Sequence, residues 1–228
     1  RTWSTARQSS WPSERRHPGM SAPPALTIRQ LGLTDYQSAW HDMQTFTDMR
    51  STNTPDEIWF LQHPPVFTLG RNGKQEYLHN TGDIPVINVD RGGQVTYHGP
   101  GQLIVYPLLN IKRRQLGVQS LVSILEQGVI DLLSDYSLAA QRREKAPGVY
   151  VNDRKLAALG LRIRRGCSFH GLSLNVDMDL SPFSMIDPCG YSGLEVTQLK
   201  DLGIDASMET IGKQFLTHFE RLLDKTAA

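Results

Sequence analysis

Apolar positions along the chain keep two different periods, and the switches between them mark the elements. Behind a capping residue at Thr34 or Asp35, the positions Tyr36, Ala39, Trp40, Met43, Phe46 and Met49 recur at helical spacing. A second helix is predicted over 120–136, where Leu121, Ile124, Leu125, Val129, Leu132 and Leu133 supply a broad apolar face. A third, over 207–225, carries Met208, Ile211, Phe215, Phe219 and Leu222 behind a Ser207 cap. Between them lie short strand-like runs at 57–62, 66–69, 84–89, 95–98, 103–109, 148–151, 156–163 and 169–176, several bounded by Pro or Gly. Many strands and three main helices without strict alternation predict an α+β fold, a mixed β-sheet with helices packed against it. Residues 20–228 contain no linker-like stretch or repeat and read as one domain.

Composition narrows the function classes. With 24 Lys+Arg against 23 Asp+Glu, the net charge of +1 leaves no excess for general binding of nucleic acid or membrane. Four arginines and one acid fall in residues 1–19, so the remainder holds 20 basic and 22 acidic residues. That first stretch is rich in Ser and Arg, lacks apolar periodicity and ends before Met20, which reads like a natural start. It is expected to be a disordered extension outside the fold, with an upstream extension favoured over a transit peptide; no apolar core of a signal peptide is present. Positions 92–111 form a run of 20 uncharged residues, but its Gly, Pro and polar side chains exclude a membrane helix. Two cysteines, Cys167 and Cys189, are too few for a disulfide framework, and a reduced cytoplasm is the expected compartment.

Three segments carry candidate chemistry. The run Arg91-Gly92-Gly93-Gln94-Val95-Thr96-Tyr97-His98-Gly99-Pro100-Gly101-Gln102 holds four glycines, which fits one wall of a narrow substrate slot and fits equally a pair of turns around a strand. It is neither a phosphate loop nor a dinucleotide fingerprint. Lys155, if strand alternation holds, shares a face with Ala157, Leu159, Leu161 and Ile163, where an ammonium would be desolvated into a base. The pattern alone favours the plainer reading, a lysine at a strand mouth with its head in water. Cys189 sits between Pro188 and Gly190 on an open turn suited to a nucleophile, although free cysteines are more often small buried hydrophobes. Cys167 follows Arg162, Arg164 and Arg165 and ranks second, because nothing there supplies a base. His170 falls on the face of Leu172 and Leu174 and reads as a hydrogen-bonded core histidine; the histidines show no metal-ligand spacing, and no metal is predicted. From 139 to 176, eight basic residues face two acids, a local net of +6 that fits an acidic partner or, equally, solvated strand faces.

Taken together, the 91–102 segment, Gly148-Val-Tyr-Val151, Lys155-Leu-Ala-Ala-Leu-Gly160, Cys167-Ser-Phe-His-Gly-Leu-Ser-Leu-Asn-Val176, Pro188-Cys-Gly190 and Pro64-Pro-Val-Phe-Thr-Leu-Gly-Arg71 closely resemble the lipoyl(octanoyl) transferases. The resemblance covers position 26 to the C-terminus. It implies the biotin/lipoate protein ligase-like catalytic fold around an acyl tunnel, with Cys189 as the acyl-thioester nucleophile and Lys155 favouring its thiolate and handling protons. It further implies a substrate site lined by Arg91, Gly92, Gly93, Gln94, Val95, Thr96, Tyr97 and His98, by Ala158, Leu159 and Gly160, and by Gly171, Leu172 and Ser173. No cofactor is implied, neither ATP nor metal, since the acyl donor brings its own phosphopantetheine. The implied partners are octanoyl-acyl carrier protein as donor and, as acceptors, the apo lipoyl domains of 2-oxoacid dehydrogenase complexes and the glycine cleavage H protein; a monomer is expected. An ATP-dependent lipoate or biotin ligase on the same fold and a non-catalytic acyl-carrier-binding module are the rival readings.

Overall fold

In the computed structural model, which describes residues 26–144, 146–187 and 193–226, the chain runs β1 (Leu26–Leu33), α1 (Tyr36–Met49), β2 (Asp56–Gln62), β3 (Val66–Leu69), β4 (Val86–Asn88), β5 (Val95–His98), β6 (Gln102–Leu108), α2 (Val118–Asp135), β7 (Gly148–Val151), β8 (Arg154–Arg164), β9 (Cys167–Asn175) and α3 (Met208–Lys225). Six strands form one sheet in the order β1-β2-β6-β9-β8-β7, and three form a second in the order β4-β3-β5. Each sheet contains one parallel pair, β1 with β2 and β3 with β4, and is otherwise antiparallel. The predicted mixed α+β architecture is present, built from two sheets. The expected extension, residues 1–19, lies outside the described residues.

Period-two alternation in the central strands sets the layers. Ile58 and Phe60 of β2, Leu103 and Val105 of β6 and Leu172 and Leu174 of β9 face one core, which α2 and α3 close with Leu121, Leu125, Phe215 and Phe219. The intervening residues Trp59, Leu61, Ile104 and Tyr106 face the other way, against Ala39 and Met43 of α1. Both faces are covered, so β2 and β6 are apolar at nearly every position. Phe215 and Phe219 are completely buried, and each contributes roughly 2–3 kcal/mol by leaving water. The start of α1 is settled by Asp35, whose carboxylate accepts from the Ser38 N–H at 2.9 Å.

Apolar periodicity does not predict β1. Its polar residues interrupt the pattern, and Leu31 and Leu33 stay 37% and 60% exposed at the sheet edge; pairing with β2 makes the strand. The pattern also gives no hint that Asp56, at the start of β2, is wholly buried. Arg50, Arg113 and Arg114 converge on its carboxylate, which also accepts from the Asn110 N–H at 2.8 Å. Burial pushes this carboxyl up, but the Asn110 bond and the arginines outweigh it and hold the acid below its ordinary value.

Two irregularities overturn face assignments made from alternation. In the β7–β8 pairing Val149 meets Ala157 while Tyr150 meets Lys155, so Leu156 is an extra residue, a β-bulge. Ala157 keeps facing the α2/α3 core, and Lys155 turns to the opposite face with Ala158. Lys155 is therefore not a companion of Ala157, Leu159, Leu161 and Ile163. Nor is its head in water, since the residue is 3% exposed. His170 likewise leaves the face of Leu172 and Leu174. Its φ of 55° turns the ring toward Phe169, Tyr106 and Trp40 on the α1 side.

Candidate active site

The two sheets meet where the loop before β5 lies on β8. The Gly92 N–H donates to the Leu161 carbonyl at 2.9 Å, and a Cβ on Gly160 would stand 2.8 Å from the Gly92 oxygen and 3.0 Å from Arg91 Cδ. Glycine at 160 is what lets this loop seat. Arg91 then ties the loop together, with Nη2 donating to the Thr68 carbonyl at 2.8 Å and the Gln94 carbonyl at 2.9 Å, and Nη1 donating to Gly92 at 2.9 Å.

Between loop and sheet lies a narrow cavity of about 40 Å³. Of the residues singled out in sequence, Arg91, Gly93, Gln94, Val95, Thr96, His98, Ala158, Leu159, Gly160, Gly171, Leu172 and Ser173 line it. Gly92 and Tyr97 do not: Gly92 is the loop's anchor on β8, and Tyr97 packs with Phe67 and Phe183 beneath the small sheet. A smaller adjoining compartment holds Lys155 with Gln102, Asn175, Phe183 and Val196, and shares Thr96, Ala158 and Ser173 with the first. The lysine thus sits in a compartment that abuts the cavity across Thr96, Ala158 and Ser173, and the two together form the slot. Its ammonium lies 5.5 Å from the centre of the Tyr150 ring.

Cys189 and its neighbours Pro188 and Gly190 lie outside the described residues. The chain on either side is described. Asp187 donates its N–H to the Tyr77 carbonyl at 3.0 Å, and after Gly193 the chain returns directly alongside Lys155. There the Lys155 N–H donates to the Glu195 carbonyl at 2.8 Å and the Thr197 N–H donates back to the Lys155 carbonyl at 2.9 Å. Cys167, the competing thiol, pairs opposite Arg164 at the far end of β8, is buried, and has its thiol pushed up by that burial despite Arg50 and Arg113 nearby.

The other end of the slot is a group of aromatic and imidazole rings that sequence analysis did not assemble. Tyr36, Ile104, Tyr106 and His170 complete the lining. The His63 Nδ1–H donates to the Thr34 carbonyl at 2.7 Å, so its Nε2 accepts from the Tyr106 hydroxyl at 2.7 Å. Burial drives His63 down to about 4 and holds His98 well below its ordinary value, so both rings are neutral. The His98 Nδ1–H donates to Gln102 Oε1 at 2.8 Å, and the Gln102 amide in turn donates to Asn175 at 2.9 Å. The His170 Nε2–H donates to Asp90 at 3.0 Å, and Trp40 donates to the same oxygen at 2.9 Å. Burial raises Asp90, but the His170 bond and charge and the Trp40 bond prevail and keep it ionised. Tyr36 and Ile104 read as ordinary core from their spacing, and His63 shows no signal beyond preceding Pro64.

The local charge of +6 does not form one patch. Acids from outside the segment halve it: Glu126 meets Arg142 at 3.1 Å, Asp90 meets Arg162 at 3.8 Å, and Asp48 meets Arg164 at 3.0 Å and Arg165 at 4.0 Å. Arg143 pairs within the segment with Asp153 at 2.6 Å. Arg162, Arg164 and Arg165 also sit at the end of β8 away from Lys155. Among the described residues no helix is long and apolar enough to cross a membrane.

Comparison with known proteins places this arrangement. Residues 35–220 match the lipoyl protein ligase A/B catalytic domain. The chain is 60% identical over 198 residues to an octanoyltransferase of Shewanella sp. (strain W3-18-1), covering 87% of this chain and 91% of that one. It is 59% identical, with the same coverage, to an octanoyltransferase of Shewanella oneidensis. Among solved structures, a lipoate-protein ligase A bound with ATP superposes with a TM-score of 0.72 at 14% identity, over 87% of this chain and 85% of that one. A biotin protein ligase from Aquifex aeolicus gives 0.52 at 14% identity, over 89% and 69%; at such identity these two carry the fold alone. The span of the domain match and the identity to octanoyltransferases show that the chain belongs to the lipoyl protein ligase A/B catalytic-domain family and transfers octanoyl groups in protein lipoylation.

Proposed function

We propose that the transfer runs through an acyl-enzyme on Cys189 with Lys155 handling protons. The Cys189 thiolate attacks the thioester carbonyl of octanoyl-acyl carrier protein; a new carbon–sulfur bond forms, and the donor's phosphopantetheine thiolate leaves and takes a proton from Lys155. The ε-amine of an apo lipoyl domain, of a 2-oxoacid dehydrogenase complex or the glycine cleavage H protein, then attacks the enzyme thioester. A carbon–nitrogen bond forms, Cys189 leaves as thiolate, and the amine's proton returns to Lys155. Thioester to amide is downhill, so neither ATP nor a metal is needed, and the reaction fits a cytoplasmic monomer.

The observation that carries this reading is Lys155: a lysine buried to 3% exposure, turned by the Leu156 bulge into the slot and backbone-bonded to the segment that follows Cys189. Such a cation can stabilise a nearby thiolate and exchange protons in a site closed to water. Mixing the protein with octanoyl-acyl carrier protein without ATP should give an octanoyl adduct by intact mass. Hydroxylamine should remove it and Cys189→Ser should prevent it. No adduct, an adduct on Cys167, or a requirement for ATP would overturn the mechanism, the last in favour of an adenylating ligase.

A further inference from the structure

We infer that Gly148 and Glu126 are positioning residues for Lys155, a role that rests on the proton handling proposed for that lysine. Gly148 opens β7 with a φ of +147°, directly beneath the end of the lysine side chain. A Cβ at this position would lie 2.6 Å from Lys155 Cε, 3.2 Å from Nζ and 2.5 Å from the Ala157 carbonyl oxygen. The carbonyl is held by the sheet, and the Cε distance is inside van der Waals contact, so a side chain at 148 pushes the end of the lysine away. The bulge turns Lys155 toward the slot, and the bare Gly148 backbone is the seat on which it rests.

That seat is held from behind. The Gly148 N–H donates to Glu126 Oε1 at 2.9 Å. Glu126 lies on α2, outside the slot, is 5% exposed, and has its second oxygen 3.1 Å from Arg142 Nε. A buried carboxylate is costly unless its oxygens are bonded, so this one fixes α2, Arg142 and the start of β7 as one unit. Tyr150 completes the seat: fully buried, it donates its hydroxyl to the Ala146 carbonyl at 3.0 Å and presents its ring to the lysine. Reacting groups tolerate little displacement, and an error of about 1 Å costs about 100-fold in rate.

The test combines kinetics with the NMR resonance of lysine Cε in the full-length labelled protein, the Lys155 signal being assigned by its loss in Lys155→Met. Gly148→Ala should move that resonance and lower kcat about 100-fold, with KM for donor and acceptor within about twofold. Glu126→Leu should move it less and cost about tenfold, while Glu126→Gln, which still accepts the Gly148 N–H, should recover kcat to within about threefold. A moved resonance with wild-type kcat would uphold the positioning and overturn the role proposed for Lys155. A fallen kcat with an unmoved resonance, or no change in either, would overturn the inference and leave the Lys155 mechanism standing. Should Gly148→Ala fail to fold, the Glu126 pair decides, and equal resonances and rates for Leu and Gln overturn it.

Discussion

The two ends of β8 carry similar raw material and arrive at opposite chemistry. At the Arg164 end, Cys167 follows three arginines, yet Asp48 and Asp90 pair with those side chains and the thiol is buried and pushed up. At the other end a single lysine, unremarkable in its pattern, is turned by one bulge into a slot and seated on a glycine. Nine positions of strand separate them, roughly 30 Å. Local charge density therefore says little about where a protein reacts. What matters is which face a residue is turned to, and which groups from distant parts of the chain meet it there.

The sharpest way to break this contrast is to remove the lysine. Lys155→Met should lower kcat about 1000-fold in the two-substrate reaction while the protein still melts as wild type; retention of activity would make the two ends equivalent. Between the ends, the buried histidines make the slot acid-sensitive. His63, near 4 in the fold against 6.5 ordinarily, binds a proton more readily when unfolded, as His98 does. Stability should be flat above pH about 6.5 and fall as pH drops from 6.5 toward 4, His63 alone accounting for about 3 kcal/mol in urea denaturation. His63→Phe should remove its share of that fall and leave the share due to His98.

Gly160→Ala tests the loop that roofs the slot, and should destabilise the protein by about 1–3 kcal/mol because the Gly92 oxygen and Arg91 have little room to retreat. Charge reversal compares the ends directly. Arg143→Glu, beside Tyr150, should raise the donor KM roughly fivefold at low salt and less at high salt, whereas Arg165→Glu should leave it unchanged. Equal effects would restore the single basic surface that the sequence suggested. The smallest effect belongs to Cys167→Ser, with kcat within about twofold of wild type.

Much of the fold was legible because it depends on spacing. The three helices follow from a period of 3.6 and eight of the nine described strands from short strand-like runs, several bounded by Pro or Gly, and Asp35 and Ser207 cap where their side-chain chemistry requires. Edge strand β1 escaped because its pattern is weak and its pairing partner lies beyond α1. The slot's glycine-rich wall was legible as composition, and its function only through likeness to known transferases. His63, Tyr106 and Asp90 were illegible, since each gains its role from a hydrogen bond to a residue far away in the chain.

By itself the sequence determined the element types, the apolar faces, the glycines that allow close approach and the family, all of which are local or comparative properties. Only the tertiary structure decided that Lys155 leaves the core face, that His170 turns with it, and that the charge of the basic stretch is halved and divided by Asp48, Asp90 and Glu126. The physical reason is common to all three. A bulge, a positive φ and an ion pair each depend on what lies across the sheet or across the fold, and strand periodicity carries no information about that neighbour.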